Sequence, residues 1–130
     1  MKTSSFRLYS GPGRVSIARY APRWTPAGYR VMKALAPHGH MLKMGYAQYR
    51  LIYFQDILGK LDPQETWDKL HALAGDAEPV LLCWETLKQP GEWCHRRMVA
   101  EWFERQLGVV VDELPPGGAP TPSPQMRLDL

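Results

Sequence analysis

The stretch "PVLLCWE", Pro79–Glu85, decides the fold. It is a nearly continuous apolar run of strand length, which suits a strand covered on both faces inside a parallel sheet. Alternation sends Leu81, Cys83 and Glu85 to one face and Val80, Leu82 and Trp84 to the other. Downstream, "GEWCHRRMVAEWFERQLG" (Gly91–Gly108) places apolar residues at helical spacing, and "VVVDEL" (Val109–Leu114) is a second short apolar run. Strand, helix, strand at this spacing is a βαβ unit with parallel pairing. The expected fold class is therefore α/β: a single compact domain over residues 1–114, with a small, mostly parallel sheet flanked by helices. The tail, residues 115–130, is too rich in proline and glycine to fold alone and is expected to be disordered or to serve as an interaction segment.

Upstream, "FRLYS" (Phe6–Ser10) alternates apolar and polar residues before the turn residues of "SGPG", so it reads as a strand. "RVSIARY" (Arg14–Tyr20) reads as a second strand. From Ala21 to Gly45 the breakers Pro22, Pro26, Gly28, Pro37, Gly39 and Gly45 predict a long ordered loop with a short helix around Tyr29 to Leu35. Tyr46, Tyr49, Tyr53, Ile57 and Leu61 then recur at three- and four-residue spacing, which predicts an amphipathic helix over Tyr46 to Leu61. Asp62-Pro63 supplies a cap and a first-turn proline for another helix, running to about Ala74.

A chain of 130 residues with a formal net charge of +3 fits one ordinary domain, but its charge is unevenly spread. Residues 1–60 hold ten lysines and arginines and a single acid, Asp56, whereas residues 61–130 hold six basic and twelve acidic residues. All six tyrosines fall within the first 53 residues. Cations interleaved with planar rings point to an anionic partner, either nucleic acid or a phosphorylated small molecule. The duller reading leaves these tyrosines half-buried and the arginines solvated. No apolar run long enough for a leader or a membrane span is present, so the expectation is a cytoplasmic protein without a membrane partner. Cys83 and Cys94 could pair, but in a reducing compartment they are expected as free thiols.

The helix after "PVLLCWE" opens on Cys94-His95-Arg96-Arg97, none of them a favoured cap. At 100° per residue, His95 shares an arc with Met98, Val99, Trp102 and Phe103 and faces the sheet, while Arg96 sits at its margin. Arg97 lies on the far side and is expected to be solvated and paired with Glu101. Ligands of open α/β sheets collect at the carboxyl ends of strands, which is where this helix starts. Glu85 is then placed to orient His95 or to pair with Arg96. Arg96 and the helix N-terminus would hold a phosphate or carboxylate beside Cys83. Arg19, Arg23 and Arg30 would track a backbone, with Trp24 and Tyr29 offered for stacking. Should chemistry occur, His95 is the acid/base candidate, Cys94 the nucleophile and Glu85 their partner.

Each residue also has a structural reading. Cys83 and Cys94 could be small buried side chains. His95 could donate to a carbonyl and hold the following loop, and Arg96 could clamp Glu85. No metal or other cofactor is expected, since Cys83, Cys94 and His95 lack a C-x2-C or H-x3-H pair. A Cys-x5-Arg phosphatase loop is excluded, because Ala100 and Gln89 stand six residues after Cys94 and Cys83. Two rival functions follow: a small-molecule enzyme with a reactive Cys94 thiol, and a non-catalytic interaction protein that docks through its tail.

"PVLLCWE" followed by "WCHRRMVAEWF" resembles the domain of unknown function 488 family, in which a strand ending Leu-Leu-Cys-x-Glu leads through a short loop to Cys-His-Arg at a helix start. "VSIARYAPRW" and the aromatic helix from Tyr46 to Leu61 are similar to that family's N-terminal strand and middle helix. The resemblance covers roughly Arg14 to Leu114 and marks Cys83, Glu85, Cys94, His95 and Arg96, with Arg19 and Pro22 as weaker matches. It implies a fold and a site, and no reaction.

Overall fold

The computed structural model describes residues 1–85, 87 and 92–115. The predicted tail from residue 116 onwards lies outside the described residues, as does most of the loop before the Cys-His-Arg helix. Five strands, β1 (Lys2–Ser5), β2 (Arg14–Ser16), β3 (Arg30–Val31), β4 (Val80–Cys83) and β5 (Asp112–Glu113), form one sheet in the order β3-β2-β4-β1-β5. Every pairing is parallel. β4 is central, and its Leu81 lies in register with Thr3 of β1 and Val15 of β2. All four β4 residues are buried, as the apolar run requires.

The first strand differs from its expected place. Phe6–Ser10 is a turn region in which the amides of Leu8 and Tyr9 return to the Ser5 carbonyl, and the strand is the preceding "KTSS". Hydropathy hides it, because Thr3, Ser4 and Ser5 are polar by type yet buried between β4 and β5. The expected helix around Tyr29 is instead the edge strand β3 followed by a 3₁₀ turn at Lys33–Leu35. The strand from Arg14 stops at Ser16, although the Ile17 amide still bonds the Leu82 carbonyl at 3.0 Å.

Among the described residues three α-helices complete the fold: α1 (Tyr46–Ile52), α2 (Pro63–Ala74) and α3 (His95–Leu107). α1 runs on through a π turn at Tyr53–Ile57 and a 3₁₀ turn at Leu58–Lys60, so the predicted continuous helix is present as three consecutive segments of different pitch. Asp62 caps α2 by accepting from the Glu65 amide at 2.8 Å, with Pro63 in the first turn. α3 begins at Cys94 without a side-chain cap and closes on Gly108 in the left-handed conformation. The helices bury Tyr53, Leu70, Val99 and Phe103 with Val15, Ile17 and Leu81 in the larger core. A smaller core of Phe6, Tyr9, Val80, Leu82, Cys83, Cys94 and Leu114 draws on no helical residue. Among the described residues no helix is long and apolar enough to cross a membrane.

Candidate functional site

β2 and β4 are neighbours, but the chain leaves β2 towards β3 on one side and leaves β4 through α3 towards β5 on the other. The strand order therefore divides at this pair, and ligands of parallel sheets sit in the crevice at the carboxyl end of such a division. A pocket of about 340 Å³ lies there, between the ends of β2 and β4 and the start of α3. Arg19, Tyr49, Cys83, Glu85, Cys94 and His95 are among its lining residues. Of the strand-end residues expected from the sequence, Cys83, Glu85, Cys94 and His95 thus meet at one pocket together with Arg19, which follows β2, whereas Arg96 does not line it.

His95 lies buried on the face it shares with Met98, Val99, Trp102 and Phe103. Its Nε2 is 2.7 Å from the Ile17 carbonyl oxygen. A carbonyl only accepts, so Nε2 carries the proton and Nδ1 presents a lone pair. Nδ1 stands 3.7 Å from Cys94 Sγ. Burial pushes the His95 pKa down to about 4 against the raising effect of the Ile17 bond, and the Arg96 cation lowers it further. The imidazole is therefore neutral near pH ~7. Ile17 orients the ring, one of the two roles open to Glu85 in the sequence; the Glu85 side chain is exposed at the pocket. Burial followed by the Glu85 charge raises the Tyr49 pKa above its ordinary value.

Cys83 and Cys94 are bonded to each other, and no free cysteine remains. This differs from the expected pair of free thiols: the end of β4 and the cap of α3 bring the two sulfurs into contact from 11 residues apart. Cys83 Sγ, Cys94 Sγ and His95 Nδ1 all lie within 4.8 Å of one another, the one such group of potential metal ligands among the described residues.

Arg96 is wholly buried and already engaged. Nε and Nη2 donate to the Glu113 carboxylate at 2.8–3.2 Å, and Nη1 donates to the Glu85 carbonyl at 2.7 Å and to Cys83 Sγ at 3.1 Å. The anion expected at this guanidinium is supplied from within the fold, by β5. Arg97 also departs from its expected place, because its Nη1 donates to Thr3 Oγ1 and the Val111 carbonyl, each at 2.9 Å. Glu101, its expected partner, pairs with Arg50 at 2.5 Å and more loosely with Arg105.

The pocket mouth carries aromatic residues that the sequence did not single out. Tyr20 is 65% exposed and Trp84 52%, and the Trp84 indole donates to the Tyr20 carbonyl at 2.6 Å. The Arg19 guanidinium and the Lys33 ammonium lie 5.4 and 5.5 Å from the Tyr20 ring centre. Arg19 and Tyr20 also line an adjoining pocket of about 430 Å³, to which Lys33, His38 and Lys60 contribute. Of the other expected contacts, Arg23 and Trp24 are exposed but line neither pocket, and Arg7 covers the Trp24 ring. Tyr29 packs edge-on against Phe6, which in turn meets Trp84. Trp84 could have been found from its position just past a buried strand, where the alternation that buries Cys83 has ended.

The fold and site define an all-parallel α/β domain with a switch-point pocket. No protein-family model, curated protein or solved structure matches the chain.

Proposed function

We propose that the protein is a cytoplasmic relative of the domain of unknown function 488 family that binds nucleotides or single-stranded nucleic acid at the carboxyl edge of its sheet. The observation that carries this reading is the pocket mouth: two exposed aromatic residues, Tyr20 and Trp84, the Trp84 indole held on the Tyr20 backbone carbonyl, with Arg19 and Lys33 beside the Tyr20 ring. Exposed aromatic faces accept bases by stacking, and neighbouring cations hold phosphates. Arg19 and Lys33 take the phosphate-binding role in this reading, since the donors of Arg96 are spent on Glu113 and Glu85. The basic first half of the chain supports it as well, apart from Arg14, whose guanidinium is bonded to the carbonyls of Gly11, Pro26 and Ala27.

Fluorescence anisotropy of labelled single-stranded DNA and RNA across a salt series tests the reading. Stacking is worth ~1–3 kcal/mol per base, so Trp84→Ala and Tyr20→Ala should each weaken binding by roughly 5- to 150-fold while the domain stays folded. Wild-type affinity should fall steeply with salt. Binding that ignores salt, or that both substitutions leave intact, would overturn the proposal.

A further inference from the structure

The floor of the pocket holds two sulfurs and one imidazole nitrogen within 4.8 Å of one another, a ligand set that an ion could share once the disulfide is opened. Zinc sites with three protein ligands keep a fourth position open for water or substrate, and two cysteines with one histidine form one such set. With Zn–S near 2.3 Å and Zn–N near 2.05 Å, a tetrahedral ion separates its sulfur and nitrogen ligands by roughly 3.6 Å. Cys94 Sγ and His95 Nδ1 stand 3.7 Å apart.

Three further features point the same way. The Ile17 carbonyl takes the Nε2 proton of His95, which leaves the Nδ1 lone pair on the side of the sulfurs. A second ring nitrogen anchored on a carbonyl is the usual support of a metal-bound histidine. Arg96 Nη1 donates to Cys83 Sγ at 3.1 Å, as supporting donors do to a thiolate ligand. The backbone holds the Cα atoms of Cys83 and Cys94 7.3 Å apart, room for two thiolates on one ion. All three ligands line the same pocket, so an incoming group could reach the fourth position.

We propose that, with both thiols reduced, Cys83, Cys94 and His95 bind one zinc ion whose remaining coordination position faces the pocket. Binding releases the two thiol protons and changes no oxidation state. Thiolate and imidazole together favour a thiophilic divalent ion over magnesium or calcium. A single thiolate nucleophile at Cys94 explains less, since it gives no role to Cys83 and none to the orientation of Nδ1 towards both sulfurs. The inference does not depend on nucleic-acid binding, and its test reads none.

The full chain is treated with a phosphine, which takes oxygen from water to become the phosphine oxide as the disulfide becomes two thiols. It is then titrated anaerobically with cobalt(II) as a spectroscopic probe. The expected result is thiolate-to-cobalt charge transfer in the near ultraviolet with intense visible bands of tetrahedral cobalt. These signals should saturate at one ion per chain and be displaced by zinc. Cys83→Ser, Cys94→Ser and His95→Gln should each weaken binding by at least ~10-fold. The untreated, disulfide-bonded chain is the control that needs no substitution, and it should give none of these bands. Circular dichroism of the reduced chain covers loss of fold: cobalt-induced recovery of helix accompanied by the bands supports the site. Reduced wild type that gives only the weak spectrum of octahedral cobalt overturns it, whether folded or not.

Discussion

Arg96 and Glu113 join the start of α3 to β5, with guanidinium Nε and Nη2 reaching both carboxylate oxygens at 2.8–3.2 Å. The arginine is fully buried and the glutamate side chain is 25% exposed. A third element, the segment just past β4, is tied in through the Glu85 carbonyl. Removing one partner of a buried pair leaves the other charge uncompensated, so Arg96→Ala should lower stability by about 3 kcal/mol in urea denaturation. Arg96→Lys should recover little, because an ammonium cannot span Glu113, Glu85 and Cys83 together. A loss below ~1 kcal/mol would show that the guanidinium is not a fastener of the fold.

The site was legible where local pattern and topology coincide, and hidden where acceptors come from far along the chain. Cys83, Glu85, Cys94 and His95 could be gathered because a strand end and the next helix start are neighbours in any βαβ unit. Arg96 could be set beside Glu85, whose carbonyl it reaches, but its partner Glu113 and the Arg97 partners Thr3 and Val111 lie on or next to strands whose order is not written locally. β1 was missed for a related reason. Its buried hydroxyl residues include Thr3, which bonds the Glu113 carboxylate at 2.7 Å, an acceptor 110 residues away. By contrast α2 was readable, from its Asp62 cap and Pro63 start to about Ala74, because those boundary signals are local.

Gly13 is the tightest point of the turn before β2. Its φ is +81°, and a Cβ there would run into the Glu78 backbone carbonyl. The Gly13 carbonyl also accepts from the Val80 amide at 2.8 Å, so the turn cannot retreat without loosening β2 from β4. Gly13→Ala should therefore cost about 2 kcal/mol or more, combining left-handed backbone strain with the clash. Gly75→Ala shares the positive φ but meets nothing within 4 Å, and should cost less. Equal melting temperatures for the two variants would contradict this ranking.

His71 links stability to pH. Its Nε2 is buried with no partner among the described residues, and its ring packs against Trp67 at 5.0 Å. Burial lowers its pKa, the N-terminal ammonium adds to this, and Asp68 and Glu78 oppose it. The folded state therefore prefers the neutral ring, while the unfolded chain takes up a proton near the ordinary pKa of ~6.5. Its contribution is complete above that pH and is lost as pH falls through the lowered folded value. Melting temperatures at pH ~8 and ~5 should show a smaller acid-induced drop in His71→Gln than in wild type. An identical drop in both would remove His71 from the pH dependence.

Tyr49 and Tyr53 lie one helical turn apart in the same stripe, stacked with ring centres 5.9 Å apart, yet their hydroxyls differ. The Tyr53 hydroxyl is buried and donates to the Leu35 carbonyl at 2.6 Å, fixing the loop that overhangs the pocket to the helical segment after α1. Tyr49 lines the pocket instead. Losing a buried donor leaves the Leu35 carbonyl without that bond, so Tyr53→Phe should cost about 1–2 kcal/mol. Tyr49→Phe breaks no comparable bond and should change stability by less than ~0.5 kcal/mol. Amide hydrogen exchange should accelerate around the Lys33–Leu35 turn in Tyr53→Phe alone, because the tie to that turn is what the substitution removes. Acceleration there in both variants would assign the ordering of the loop to ring packing rather than to the hydroxyl.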